Sequence, residues 1–353
     1  MRIVVVGTDL APVVPGAGAL ETLLSGWAAG LSAAHDVTVV SVGGGAVGAG
    51  PVPAGAPARP APYRTVTIDS ADGLRAAIET TAADVVILNN RPAWQVHVDA
   101  PSLHLFHNWP DAWGGPNDAN PATLVGGAGA AAVSRALADV VADRLRRPPG
   151  RIGVVAPFVD GDRLDVAPRP ERGLVVSPNR LMVKKGVREL VAVAGHPSMR
   201  GRRILITDYL SPWRTPTAEH LALRALVGAS PAELVAPPAG RPAMAALYAR
   251  AEVVVCPSIR PEGLGLTAVE AQAVGVPVVS SGLGGLAEAC LRPDLLADPA
   301  DPADFAAAIA RAARLDGAAR AALRSQARSR WSSAASLESV LDALDRARPA
   351  ANG

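Results

Sequence analysis

The sequence predicts an α/β protein built from two Rossmann-like, doubly wound parallel-sheet domains that face each other across a cleft. Three observations lead to this prediction. The chain has 353 residues, enough for two domains that each bury a core. Hydrophobic residues make up 49% and charged residues 19% of the chain, which is typical of a globular protein. Short apolar runs alternate with longer helical patterns from one end to the other, as in repeated βα units.

Apolar runs bounded by glycine, proline or polar residues locate two series of strands. The first series is expected at residues 3–6, 37–42, 64–68, 84–88, 103–106, 130–133 and 152–155, with helices at 19–33, 71–82 and 134–146. The second is expected at 173–176, 203–206, 232–235, 252–255 and 276–279, with helices at 186–194, 241–249 and 267–274 and a helical tail from residue 302. The carboxyl ends of the strands in both series should line the cleft.

The periodicity lapses over the polar, proline-containing segment 160–172, where we expect the linker between the domains. The expected domains are residues 1–165 and 166–335. A helical tail at residues 336–353 is long enough to pack back on the first domain.

Composition and charge exclude several classes of partner. The net charge is +2, and the arginines are scattered rather than interleaved with aromatics, so nucleic acid is not expected as a partner. The apolar run at the N-terminus is too short for a signal peptide, and no stretch approaches ~18 apolar residues, so we expect a cytoplasmic protein. No basic amphipathic helix with large apolar residues is evident, so membrane association is not expected. Cys256 and Cys290 lack metal-ligand spacing, and neither a metal nor another cofactor is expected.

A strand, a glycine-punctuated loop and a helix are predicted from Val253 to Ala271. Gly265 allows a close backbone turn before Leu266 and Thr267, whose free N–H groups at the helix start favour an anion such as a diphosphate. Thr267 and Glu270 also have the spacing of a helix capping box, which is an alternative role for Glu270.

The same region contains a longer composite pattern. Pro257-Ser258 is followed by Glu262, seven residues, Glu270, Gly275-Val276-Pro277 and Gly284-Gly285-Leu286-Ala287-Glu288. This pattern resembles the signature of family-4 retaining glycosyltransferases, which have the two-domain GT-B fold. The resemblance implies that Glu262 lies beside the donor sugar and acts in catalysis, and that Glu270 binds the nucleotide ribose. It also implies that Gly265, Leu266 and Thr267 hold the donor diphosphate.

A second pattern, Arg180-Leu181, three residues, then Lys185-Gly186, resembles another element of this family. An arginine and a lysine beside a helix start can neutralise a leaving diphosphate without a metal ion. The resemblance assigns donor binding and catalysis to Arg180 and Lys185. Lys184 and Lys185 are the only lysines among 34 basic residues, which disfavours a generic surface charge at this position.

The first domain contains weaker matches to the family's sequence elements. The family's Gly-Gly pair near the donor phosphates corresponds to Gly18 and Ala19, with Glu21 two residues later. The added methyl of Ala19 can lengthen the contact with phosphate. A dinucleotide-binding fingerprint is absent.

Two further segments follow successive strands and resemble family elements of the acceptor side. They contribute the expected acceptor-binding residues Asn90, Arg91, His107, Trp109 and Asp111. The resemblance also implies that His107 contacts the donor sugar or the reacting centre, whereas a lone histidine after a strand is often only a hydrogen-bonded structural residue. Tryptophan faces suit sugar C–H groups, and carboxylates suit hydroxyl or amine groups.

The resulting hypothesis is a retaining, metal-independent hexosyltransferase. Its first domain would bind a small polar acceptor and its second domain a nucleotide-diphosphate sugar. The specific acceptor hypothesis is an amino-sugar or cyclitol-type intermediate of antibiotic biosynthesis. The alternatives are a sugar-nucleotide epimerase of GT-B architecture, a transferase acting on a lipid or cell-envelope acceptor, and a noncatalytic nucleotide-sugar binding protein. Residues contacting the base are expected between Leu234 and Gly240.

Overall fold

The computed structural model describes residues 1–7, 19–42, 61–90, 92–109, 129–159, 164–209 and 215–347. The chain divides into two compact units. The first contains Met1–Phe158 and Ser333–Gly353, and the second contains Val159–Ser332. The division therefore falls a few residues before the expected boundary at residue 165, and the last helix joins the first unit.

The first unit is built on a seven-stranded parallel sheet. Its strands are β1 (Arg2–Val6), β2 (Asp36–Val42), β3 (Arg64–Ile68), β4 (Val85–Asn89), β5 (Ser102–Phe106), β6 (Gly129–Ala132) and β7 (Gly153–Val154). Three of its helices are α1 (Ala19–Leu31), α2 (Ala71–Thr81) and α3 (Arg135–Arg144). The strand order is β3-β2-β1-β4-β5-β6-β7, so the order reverses between β1 and β4. Ligands of doubly wound sheets bind at such a reversal.

Burial explains why the central strands read as continuous apolar runs. All five residues of β4 and all five of β5 are buried, as expected where helices cover both faces of a parallel sheet. The edge strand β3 is exposed at four of its five positions. Val4, Leu74 and Leu88 lie in one core cluster of this unit.

The second unit has a five-stranded parallel sheet in the order β10-β9-β8-β11-β12. The strands are β8 (Leu174–Ser177), β9 (Arg203–Thr207), β10 (Glu233–Val235), β11 (Val253–Cys256) and β12 (Val278–Ser280). The helices are α4 (Val187–Gly195), α5 (Ala218–Gly228), α6 (Gly240–Arg250), α7 (Leu266–Val274), α8 (Leu286–Ala289), α9 (Pro302–Ala313) and α10 (Gly317–Arg330). The core cluster joins Val175 and Val255 of the sheet to Phe305 of α9.

The two-domain parallel-sheet class predicted from the sequence is confirmed. The element positions differ from the predicted ones mostly by one or two residues. Helix α5 was not predicted, although Thr217 marks its start, since its side chain accepts a hydrogen bond from the N–H of His220. No helix in the described ranges is long and apolar enough to cross a membrane.

The last helix, α11 (Ser333–Ala347), packs on the first unit. The Trp27 indole donates a hydrogen bond of 2.7 Å to Ser336 Oγ. The Ser336 hydroxyl in turn donates to the carbonyl of Ala156 at 2.5 Å. Trp27 and Ser336 are both buried, so this contact satisfies polar groups that would otherwise be left unpaired.

Candidate functional site

The loop after β8 is anchored at the carboxyl edge of the second sheet. Asn179 Nδ2 donates to the Val255 carbonyl at 3.2 Å, and Thr207 Oγ1 donates to the Asn179 carbonyl at 2.9 Å. Arg180, which follows, is exposed and forms a β-bridge with Tyr209. These contacts tie the loop to the strands on either side of β8.

The loop ends in a short 3-10 turn, Val183–Lys185, closed by Gly186 in the left-handed conformation with a φ of 73°. A Cβ atom at Gly186 would lie 1.8 Å from the Pro257 carbonyl oxygen. Only glycine permits both the backbone conformation and this approach. Gly186 therefore brings Lys185 against the segment that follows β11.

Lys185 and Glu262 form an ion pair there. Lys185 Nζ lies 2.5 Å from Glu262 Oε1, and the Ser258 hydroxyl donates to the same oxygen at 2.6 Å. Burial is the largest influence on the pKa of Glu262 and raises it, but Lys185, Ser258 and the charge of Lys184 outweigh it, so the pKa is lowered. Glu262 is therefore a carboxylate at neutral pH, with one oxygen held by two donors.

The Gly284-Gly285 pair supports the backbone of Glu262. The N–H of Glu262 donates to the Leu283 carbonyl at 3.2 Å, and the N–H of Gly285 donates to the Glu262 carbonyl at 2.8 Å. A Cβ at Gly285 would lie 2.1 Å from the Gly263 carbonyl oxygen. The second glycine of this motif is thus required for the close packing of two loops.

Helix α7 begins beside this ion pair. Gly265 is its N-cap residue, with a φ of 98° and no side-chain cap. The first N–H groups of a helix have no intrahelical partner, so those of Leu266 and Thr267 can bind an anion. The capping-box alternative for Thr267 and Glu270 is wrong, because the helix starts at Leu266 and Gly265 occupies the cap.

Glu270 instead bonds to helix α6. Its side chain is buried. The Tyr248 hydroxyl donates to Glu270 Oε2 at 2.9 Å, and Arg241 Nη1 donates to Glu270 Oε1. Burial, followed by the charge of Glu270, raises the pKa of Tyr248. The sequence reasoning missed Arg241 and Tyr248; a carboxylate on a buried helix face was the signal that partners were needed.

In the first unit, His107 is held by Asn89, the last residue of β4, and by Asn90, which follows it. Asn89 Nδ2 donates to the Val6 carbonyl at 2.7 Å, so its Oδ1 faces His107 Nε2, 3.0 Å away. Asn90 Oδ1 accepts from the backbone N–H of His107 at 2.8 Å, and Asn90 has a φ of 51°. The amide orientation of Asn89 therefore makes Nε2 the protonated nitrogen and leaves Nδ1 as the acceptor.

Burial lowers the pKa of His107 to about 3, so the ring is neutral at physiological pH. The Trp27 ring packs beside it, with 5.9 Å between the ring centroids. The neutral ring can accept a hydrogen bond from a hydroxyl or take up a proton transiently, but it cannot supply a positive charge.

The structure describes only some of the remaining predicted site residues. Trp109 is half-buried two residues beyond His107, and Ala19 is the first residue of α1. Gly18, Arg91 and Asp111 lie outside the described residues. In the part of the chain that the structure describes, no group of three or more His, Cys, Asp or Glu side chains is placed to hold a metal ion.

Proteins of similar sequence are named as glycosyltransferases. Residues 214–314 match the family model described as Glycosyl transferases group 1. The chain is 37% identical over 182 residues to the D-inositol 3-phosphate glycosyltransferase of Acidothermus cellulolyticus, covering 46% of this chain and 40% of that protein. It is 34% identical over 216 residues to the same-named protein of Mycobacteroides abscessus, covering 56% and 47%. The chain thus spans less than half the length of these two relatives.

Solved structures share the fold over nearly the whole chain. A glycosyltransferase from Rickettsia africae has a TM-score of 0.75 at 19% identity, covering 100% of this chain and 99% of its own. The sucrose-phosphate synthase of Thermosynechococcus elongatus has a TM-score of 0.70 at 19% identity, covering 98% and 96%. Anabaena Alr3699/HepE in complex with UDP and glucose has a TM-score of 0.69 at 16% identity, covering 98% and 99%. The GT-B fold class and the resemblance to family-4 glycosyltransferases are confirmed.

Proposed function

We propose that this protein is a glycosyltransferase that moves a sugar from a nucleotide-diphosphate donor to a small polar acceptor, with retention and without a metal ion. The observation that supports this most directly is the Lys185–Glu262 ion pair beside the start of α7. A cation, a carboxylate and free helix N–H groups lie together at one edge of the second sheet. This combination suits a diphosphate bonded to a hydroxyl-rich sugar.

In this proposal the donor binds to the second unit. The amides of Leu266 and Thr267 hold diphosphate oxygens, and the charges of Arg180 and Lys185 neutralise the group as it leaves. Glu262 accepts hydrogen bonds from sugar hydroxyls through the oxygen that Lys185 and Ser258 do not occupy. Glu270 binds the ribose of the donor nucleotide. Gly18 and Ala19 of the first unit are proposed at the donor phosphates on the family resemblance alone.

Catalysis then depends on positioning and electrostatics. The bond between the sugar and the diphosphate breaks through an oxocarbenium-like transition state, and negative charge grows on the departing diphosphate. Lys185, Arg180 and the N-terminus of α7 stabilise that charge. The acceptor oxygen bonds to the anomeric carbon on the face that the diphosphate leaves, and the diphosphate takes the proton of that hydroxyl. Neutral His107 offers Nδ1 as an acceptor to a substrate hydroxyl.

The acceptor is proposed to bind the first unit through Asn90, Arg91, His107, Trp109 and Asp111. The curated relatives are named for inositol phosphate, which favours the cyclitol class over an amino sugar. Those relatives give no support to a role in antibiotic biosynthesis, which stays a hypothesis. The Trp109→Ala variant should raise the acceptor KM about tenfold and leave the donor KM near wild type, consistent with loss of one stacking contact.

The first experiment is a thermal-shift panel with UDP-, GDP-, ADP- and dTDP-sugars, because selective binding to the native state raises Tm. The stabilising donor is then incubated with and without inositol 3-phosphate. Acceptor-dependent release of the nucleoside diphosphate, unchanged by EDTA, and a product with the donor's anomeric configuration are expected. Conversion of the donor without an acceptor would indicate an epimerase instead. No stabilisation by any donor would refute the proposal.

A further inference from the structure

Helices α6 and α7 are joined by a buried polar network of Arg241, Tyr248 and Glu270, here called the Glu270 clamp. Tyr248 OH lies 2.9 Å from Glu270 Oε2, and Arg241 Nη1 binds Glu270 Oε1. Tyr248 is 1% exposed and Glu270 is 5% exposed. Each oxygen of the carboxylate thus has its own donor.

Of the clamp residues, Arg241 lies at the start of α6, Tyr248 lies two turns further along the same helix, and Glu270 lies close to the start of α7. Arg241 is the second residue of α6 and follows the segment after β10 where base contacts are expected. Glu270 is one turn into α7, which begins with Leu266. Arg241 therefore stands between the predicted base loop and the helix proposed to bind the diphosphate. In a nucleoside diphosphate the ribose lies between the base and the diphosphate.

The geometry of the Glu270 carboxylate determines which ligand groups it can still bind. A carboxylate has about four lone-pair positions, two on each oxygen. Arg241 and Tyr248 occupy one position on each oxygen, which fixes the plane of the group and leaves one acceptor position on each. Two parallel acceptor positions match a pair of neighbouring hydroxyl donors, such as O2′ and O3′ of a ribose.

We propose that Arg241 and Tyr248 are positioning residues that orient Glu270 to accept both ribose hydroxyls of the donor. This rests on the proposed function, since it assumes a nucleoside diphosphate in the site. Arg241 supplies the charge that makes burial of the carboxylate tolerable. Tyr248 supplies a neutral donor, because its raised pKa keeps the phenol protonated at physiological pH.

A purely structural role, in which the clamp only packs α6 against α7, makes a different prediction. Loss of packing would weaken every nucleotide equally, whether or not it carries ribose hydroxyls. Loss of orientation would weaken only nucleotides that have those hydroxyls. The two roles are therefore separated by comparing a ribonucleotide with its deoxygenated form in the same variant.

The experiment measures Kd by calorimetry for UDP, GDP and ADP and for their 2′,3′-dideoxy counterparts. The proteins are wild type, Tyr248→Phe and Arg241→Gln. The matched control is Tyr63→Phe, which removes the 2.7 Å hydrogen bond between Tyr63 and Ser25 in the first unit. Thermal melts verify that each variant folds. Arg241 is the safer position for this purpose, since 18% of its side chain is exposed.

For the nucleotide that wild type binds, Tyr248→Phe and Arg241→Gln should each raise Kd by about tenfold or more, the scale of a lost hydrogen bond to a charged group. The dideoxy counterpart should change by less than about twofold, and Tyr63→Phe should change neither. Equal losses for both forms would overturn the inference while the proposed function stands. If wild type binds no nucleoside diphosphate at all, the proposed function fails first and the inference with it.

Discussion

Lys185 Nζ lies 2.5 Å from Glu262 Oε1, so two side chains separated by 77 positions form one ion pair. They come from two motifs that match the family separately. Gly186 brings the first motif against Pro257, and the backbone hydrogen bond from Ile259 to the Lys184 carbonyl, 3.1 Å long, joins the two loops. The cation proposed to neutralise the diphosphate and the carboxylate proposed to bind the sugar are therefore positioned by each other, so that changing one disturbs the other.

Replacing Lys185 with alanine should lower turnover by ~10²-fold or more, the scale expected for removing one donor that stabilises a transition state. The departing diphosphate would lose the ammonium proposed to neutralise it, and Glu262 would lose its ion-pair partner. Single-turnover kinetics with the donor found by thermal shift measures this. The neighbouring Lys184→Ala variant is the matched control and should stay within about threefold of wild type. Equal losses in both variants would contradict the assignment to Lys185.

The titration of His104 should make the free energy of unfolding depend on pH. Burial, followed by the charge of Arg147, lowers the pKa of this histidine from 6.5 to about 3. Below pH 6.5 the unfolded chain takes up a proton here that the native state does not, so the free energy of unfolding falls as the pH drops towards 3. The slope from this group approaches about 1.4 kcal/mol per pH unit.

Urea unfolding between pH 7 and pH 5 tests this, with His104→Gln as the comparison. The variant loses the bond to Gln95 and is less stable throughout, but its stability should depend less steeply on pH. Parallel curves for the two proteins would show that the histidine titrates alike in both states.

Alanine at Gly186 should destabilise the second unit by about 3 kcal/mol or more, because its φ of 73° is strained for alanine and its Cβ would meet the Pro257 carbonyl oxygen at 1.8 Å. Donor binding should weaken too, since Lys185 would be displaced. Gly195→Ala is the matched control: no atom lies within 4 Å of its Cβ position, and the residue ends a helix. It should be neutral or stabilising by about 0.5 kcal/mol. Similar losses at both positions would contradict the steric argument.

Replacing Ser336 with alanine should lower the stability of the first unit by about 1–3 kcal/mol, because the buried Trp27 N–H loses its acceptor. The 2.7 Å bond between the indole and Ser336 links α1 to α11. Chemical denaturation followed by tryptophan fluorescence measures the loss. In a Trp27→Phe background the same change should cost less, because no indole N–H remains to be left unpaired. An unchanged cost in that background would show that the serine acts only through its bond to Ala156.

Local patterns were sufficient for much of the fold. Alternation of apolar runs with helical periodicity placed the strands within a few residues, because burial on both faces of a parallel sheet leaves a direct imprint on composition. Helix α5 was not predicted because Pro212 and Pro216, just before it, interrupt the helical pattern, although Thr217 caps its start. The start of α7 was displaced by one residue, which was enough to make a capping box appear plausible.

The sequence by itself determined the class of fold and the glycine-bounded loop before α7, because apolar alternation and glycine spacing are visible along the chain. It supplied the candidate residues Arg180, Lys185, Glu262 and Glu270 through the family resemblance of two short motifs. Only the tertiary structure decided which side chains these residues contact. Glu270 bonds to Arg241 and Tyr248, Glu262 to Lys185 and Ser258, and Trp27 to Ser336. Strand order and helix packing bring these side chains together, and such contacts between distant segments leave no periodic trace along the chain.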